Sequence, residues 1–118
     1  MTDNVYWILE LKIKDNQLDN FQKLMEDMVI STKNEPGALK YEWWLTEDST
    51  ICHIYERYTN SETTMVHLAN FGSKFAERFL ACVDPIRFMV YGSASDQVKE
   101  ALAGFGATHM KYFGGFAR

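Results

Sequence analysis

Residues 38–46, ALKYEWWLT, and 51–58, ICHIYERY, are two runs rich in apolar and aromatic residues, separated only by Glu47-Asp48-Ser49-Thr50. A polar link this short joins neighbouring antiparallel strands, so the pair reads as a hairpin. Upstream, residues 5–13 alternate, with Val5, Trp7, Leu9, Leu11 and Ile13 on one face and Tyr6, Ile8, Glu10 and Lys12 on the other, the pattern of a further strand. Between that strand and the hairpin, Asp15 and Asn16 offer an N-cap. Leu18, Phe21, Leu24, Met25, Met28 and Val29 then recur at helical spacing up to a stop at Glu35-Pro36-Gly37. Downstream, Thr59, Asn60 and Ser61 supply caps for a helix running to Asn70, with Gly72 as its breaker. A second helical stretch places Phe75, Phe79, Cys82 and Val83 on one side and ends at Asp84-Pro85. Residues 86–91, IRFMVY, form a fourth strand, Gly92 to Ser95 a turn, residues 96–104 a short helix and 107–113 a fifth strand; Gly114–Arg118 has the composition of a loose end.

The order β-α-β-β-α-β is that of the ferredoxin-like split βαβ motif, an α+β fold whose antiparallel sheet carries its helices on one face. A chain of 118 residues is one domain, with a core at 5–91 and a C-terminal extension of a helix and a strand at 92–118. If the helices cover Val5, Trp7, Leu9 and Leu11, the other sheet face presents Tyr6, Ile8 and one of the adjacent pair Trp43 and Trp44, since strand neighbours point oppositely. So much apolar surface predicts a homodimer packed sheet against sheet.

Composition narrows the function. With 12 Lys and Arg against 16 Asp and Glu the net charge is −4, and no basic stripe is available to neutralise phosphates, which argues against a nucleic-acid partner. The apolar runs are a few residues long, far short of the roughly 20 that cross a bilayer, so no membrane segment is expected. Residues 1–14 lack the order of a secretory signal, and the expected compartment is the cytoplasm. Cys52 and Cys82 are read as reduced and structural. His53, His67, His109 and the two cysteines have no metal-ligand spacing, and no glycine run opens a helix as a nucleotide loop does, so neither metal nor cofactor is expected.

Two residues remain as candidates for chemistry. His67 lies at the edge of the apolar arc of its helix, one turn before Phe71. It is either a partly solvated boundary residue, which position alone favours, or a group entering a pocket. Glu56 alternates with Cys52 and Ile54 on an otherwise apolar strand face, where a carboxylate needs a partner, as a structural ion pair or as a general base.

The stretches Asn34-Glu35-Pro36-Gly37-Ala38-Leu39-Lys40-Tyr41 and Tyr55-Glu56-Arg57-Tyr58-Thr59-Asn60-Ser61-Glu62 through to His67 together resemble the antibiotic biosynthesis monooxygenase family. The likeness lies in the Glu-Pro-Gly turn before a Tyr-bearing strand, then a strand Glu, a polar helix start and a helical His. It covers residues 5–91 and implies a dimeric α+β barrel. Many members are quinol or anthrol monooxygenases that need neither metal nor flavin, because the anion of an electron-rich phenol can itself pass an electron to O2. The resemblance assigns His67 the role of base or phenol hydrogen-bond partner and Glu56 a supporting one. The substrate, a small aromatic, is expected between sheet and helices against Trp7, Met25, Tyr41, Trp43 and Phe71. Tyr58 stands where relatives often have Trp, and the extension could cover the pocket or swap onto a partner subunit. The rival reading is a non-catalytic dimeric module that holds a small hydrophobic metabolite in the same cavity. Haem binding is weaker, because only Asn4, ahead of the first strand, could stand for the Asn of haem-degrading relatives.

Overall fold

The computed structural model describes residues 2–118. Its elements run β1 (Val5–Ile13), α1 (Leu18–Lys33), β2 (Ala38–Leu45), β3 (Ile51–Tyr58), α2 (Ser61–Lys74), α3 (Ala76–Cys82), β4 (Val83–Gly92), α4 (Asp96–Ala103) and β5 (Thr108–His109). The sheet order is β2-β3-β1-β4-β5. β1 pairs antiparallel with both β3 and β4, and β2 pairs antiparallel with β3, which is the ferredoxin-like arrangement. Val5, Trp7, Leu11 and Ile13 are buried on the helix-bearing face, as the alternation requires. One core cluster joins Leu11, Leu24, Met28, Ile54 and Phe79; a second joins Val5, Trp7, Tyr58, Phe88, Val90, Val98 and Leu102. The second cluster draws α4 into the same core as the rest of the chain.

Several boundaries differ from the sequence reading, each for a local reason. Asn16 does not cap α1: it takes a left-handed φ of 64° as a turn residue, and Gln17 occupies the N-cap without a side-chain bond. Gly72 does not break α2, which continues to Lys74 and is capped at Phe75, whose N–H donates to the Phe71 carbonyl at 2.9 Å. A helical glycine costs about 1 kcal/mol. Phe71 and Phe75, on either side of it, are partly buried against the core, and that packing holds the turn in the helix. β4 begins at Val83, so Asp84 and Pro85 lie in the strand; a register shift between Glu10 and Leu11 seats Pro85 opposite Leu11. The fifth strand shrinks to Thr108 and His109, parallel to β4 as a helical crossover demands. From Lys111 to Arg118 the chain is irregular and exposed.

The two tryptophans part as expected. Trp43 pairs with Ile54 and packs inward against Phe21 and Phe79, whereas Trp44 pairs with His53 on the outer face and is 61% exposed. On that outer face Tyr6 stacks on Tyr91 at 5.5 Å, and Arg57 lies over the Tyr6 ring at 4.4 Å. No helix among the described residues is long and apolar enough to cross a membrane.

Candidate active site

Strand register brings the first site residues together. Glu56 on β3 pairs with Trp7 on β1 and with Tyr41 on β2, so three inward side chains form one row across the sheet. Above this row lies α2, whose start is set by a capping box: the Asn60 side chain accepts from Thr63 N–H at 2.9 Å, and Thr63 Oγ1 accepts from Asn60 N–H. Two turns into the helix His67 descends onto the row and is 5% exposed. The expected boundary position is therefore corrected to a buried one, because the covering groups come from segments distant in sequence.

One of those segments is the turn Glu35-Pro36-Gly37. Thr59 N–H donates to the Gly37 carbonyl at 2.9 Å, and a Cβ at Gly37 would collide with the Thr63 side chain. Gly37 is thus needed for close approach to α2, and that approach delivers Glu35 to His67. His67 Nδ1 lies 3.1 Å from Glu35 Oε1 and Nε2 lies 3.2 Å from Glu56 Oε1, so a carboxylate faces each ring nitrogen. Tyr58 O–H donates to the same Glu56 oxygen at 2.6 Å, and Asn70 Nδ2 donates to Glu35 Oε2 at 3.3 Å. Aromatic rings complete the enclosure, with Tyr58 4.8 Å and Tyr41 5.6 Å from the imidazole centroid to centroid.

Electrostatics follow from this clamp. Burial works against a charged imidazole, but the bonds to Glu35 and Glu56 overcome it and push the His67 pKa up to about 9. At neutral pH the ring is an imidazolium. Burial, reinforced by the Glu56 charge, raises the Tyr41 and Tyr58 hydroxyls far above the usual phenol range, so both remain protonated donors. Cys52 is buried in the core and its thiol is raised to about 12 by that burial, which suits a structural residue.

The cluster forms the polar end of a cavity of about 290 Å³ between the sheet and the helices. Trp7, Tyr41, Glu56, His67 and Phe71 all line it. Met25 and Trp43 do not. Met28, one turn further along α1, faces the cavity, while Met25 is half-buried at the helix edge; Trp43 is held aside between Phe21 and Phe79. The far wall includes Phe88, Leu102 and Phe105, so the extension covers its own chain's pocket. Glu35 and these wall residues were not among the sequence candidates. Glu35 stood in the Glu-Pro-Gly turn, which read as a helix stop and as part of the family likeness but gave the carboxylate no chemical role. Asn4 is committed elsewhere, accepting from Arg57 Nε at 2.7 Å and donating to the Thr59 carbonyl at 3.0 Å. Among the described residues no group of three or more His, Cys, Asp or Glu side chains is arranged to hold a metal ion.

The ferredoxin-like sheet thus carries a helical His over a strand Glu, with the Glu-Pro-Gly turn closing on the same ring. The chain matches the antibiotic biosynthesis monooxygenase family over residues 4–85 and belongs to it. Among solved structures, MupZ from Pseudomonas fluorescens superposes with a TM-score of 0.88 at 22% identity, covering 100% of this chain and 91% of that one. SnoaB from Streptomyces nogalater, described as a cofactor-independent oxygenase, gives 0.68 at 12% identity over 80% of this chain and 96% of its own. A conserved protein from Methanosarcina mazei Go1 gives 0.67 at 16% identity over 75% and 91%. At these identities the likeness establishes the fold. None of the curated proteins compared with the chain matches it.

Proposed function

We propose that the protein is a cofactor-independent monooxygenase that oxidises a small electron-rich phenol or quinol with O2 inside this cavity. The observation that carries the reading is the charged His67 clamped between two carboxylates at the end of an otherwise apolar chamber. Both ring nitrogens face carboxylates, so the group presented to a substrate hydroxyl is Glu56. Glu56 takes the phenol proton, and the adjacent imidazolium stabilises the anion that results. That anion passes an electron to O2. One oxygen atom enters the ring as a carbonyl and the other leaves as water, with all electrons drawn from the substrate. The apolar wall keeps bulk water from quenching the anion and the reduced oxygen.

Binding without chemistry accounts for the site less well. Holding an apolar metabolite requires no buried ion cluster, whose desolvation costs several kcal/mol per ion before its attractions are counted. We further propose that the outer sheet face, with Trp44, Tyr6 and Tyr91, is the contact of a homodimer, which sedimentation at micromolar concentration would test.

The direct experiment supplies a panel of naphthohydroquinones under air and follows O2. Uptake above the buffer rate that is lost in Glu56→Gln supports the reading; uptake no faster than buffer across the panel overturns it.

A further inference from the structure

His67 touches two carboxylates that open onto different spaces. Glu56 lines the inner cavity. Glu35, only 9% exposed, lines instead a groove on the outer surface between α1 and α2, beside Asp27, Asn34, Asn70 and Lys74. The cavity and the groove share no lining residue, and the imidazole ring is the bridge between the carboxylates that serve them.

We propose that Glu35 is the outer end of a proton path that runs from the cavity through Glu56 and the His67 ring to solvent in the α1–α2 groove. The proposal rests on Glu56 as the proton acceptor of the preceding reading and adds where the proton goes. The imidazolium is the midpoint of the path: it forms when a ring protonated at Nδ1 accepts a proton from Glu56 at Nε2, and it discharges outward by giving the Nδ1 proton to Glu35. One proton crosses with no rotation of the ring, and passage in the opposite sense restores the first tautomer. A monooxygenation needs both directions, since a proton leaves when the substrate anion forms and one is required again when the second oxygen becomes water. A path of this kind is useful because a bound aromatic fills the cavity and blocks that side to water. The other titratable groups facing the ring, Tyr41 from β2 and Tyr58 from β3, hold their protons, so they do not compete as acceptors. Asn70 fixes the outer oxygen of Glu35 without itself titrating. Asp27 and Lys74 are the other charged groups lining the groove.

The test reads the protein alone, by NMR of the ¹⁵N-labelled imidazole, as the solvent exchange rate of the Nδ1 proton at pH 7. Glu35→Gln is expected to slow this exchange by about 100-fold, while Glu56→Gln leaves it within about threefold. Unchanged exchange in Glu35→Gln, or equal slowing by both substitutions, overturns the proposal. Glu35→Asp is measured beside them in case the amide variant does not fold. It keeps the charge but gives up reach, and is expected to slow exchange by about tenfold; a wild-type rate in it also overturns the path. No turnover enters this readout. A protein inert toward every naphthohydroquinone but showing Glu35-dependent exchange therefore loses the oxygenase reading and keeps the path.

Discussion

The cavity has two ends that draw differently on the chain. Its polar end, Trp7, Tyr41, Glu56 and His67, lies wholly within residues 4–85, the span that matches the family. Its apolar wall is shared: Leu9, Met28, Phe71 and Phe79 come from the same span, and Phe88, Leu102 and Phe105 from beyond it, on β4 and the segment around α4. The polar end needs groups held at hydrogen-bond distance, which sheet register and a capped helix provide. The apolar wall needs only shape, which a segment appended after the core can supply and vary. Proton chemistry is therefore expected to depend on the first region and substrate size on the second.

The sharpest way to break this division is Glu56→Gln, expected to lower kcat on an accepted quinol by about 10²–10⁴-fold. A comparable kcat loss from a wall substitution would erase the distinction. Next in size is His67→Ala, which leaves Glu35 and Glu56 buried without their shared cation and is expected to cost about 3–5 kcal/mol in urea unfolding. The pH dependence of stability isolates the same cluster. The folded pKa of His67 lies above its unfolded value, so its stabilisation is fully present below about pH 6.5 and is lost as pH rises through about 9. The loss, roughly 3 kcal/mol at most, is expected in wild type and absent in His67→Asn.

On the apolar side, Phe105→Ala should raise KM by about tenfold or more with kcat little changed, and admit bulkier aromatics. An unchanged KM would show that the wall does not set size. The smallest effect is expected away from both ends. A Cβ at Gly72 meets open space in the last turn of α2, so Gly72→Ala should add up to about 1 kcal/mol of stability without altering turnover.

The scaffold was largely legible because period-two and period-3.6 patterns report burial directly. The alternation of residues 5–13 and the hairpin at 38–58 identified their strands and their buried faces, and Asn60 lay among the expected caps. Boundaries failed where tertiary contacts overrode local signals. Gly72 stayed helical under the packing of Phe71 and Phe75, and Pro85 entered a strand through a bulge. Within the site, Glu56 was visible as a polar residue on an apolar face. Glu35 was not, because a carboxylate beside a helix-ending Pro-Gly looks the same in sequence whether it meets water or an imidazole.

The order of elements, the inward face of each strand and the presence of one acid on an apolar face follow from the sequence alone, since they depend on spacing along the chain. That His67 is buried, charged and held between Glu35 and Glu56 was decided only by the tertiary structure. Thirty-two residues separate Glu35 from His67, and their meeting depends on Gly37 letting one turn approach another segment closely enough to displace water. Displacing that water is what turns three ordinary side chains into a coupled acid–base group.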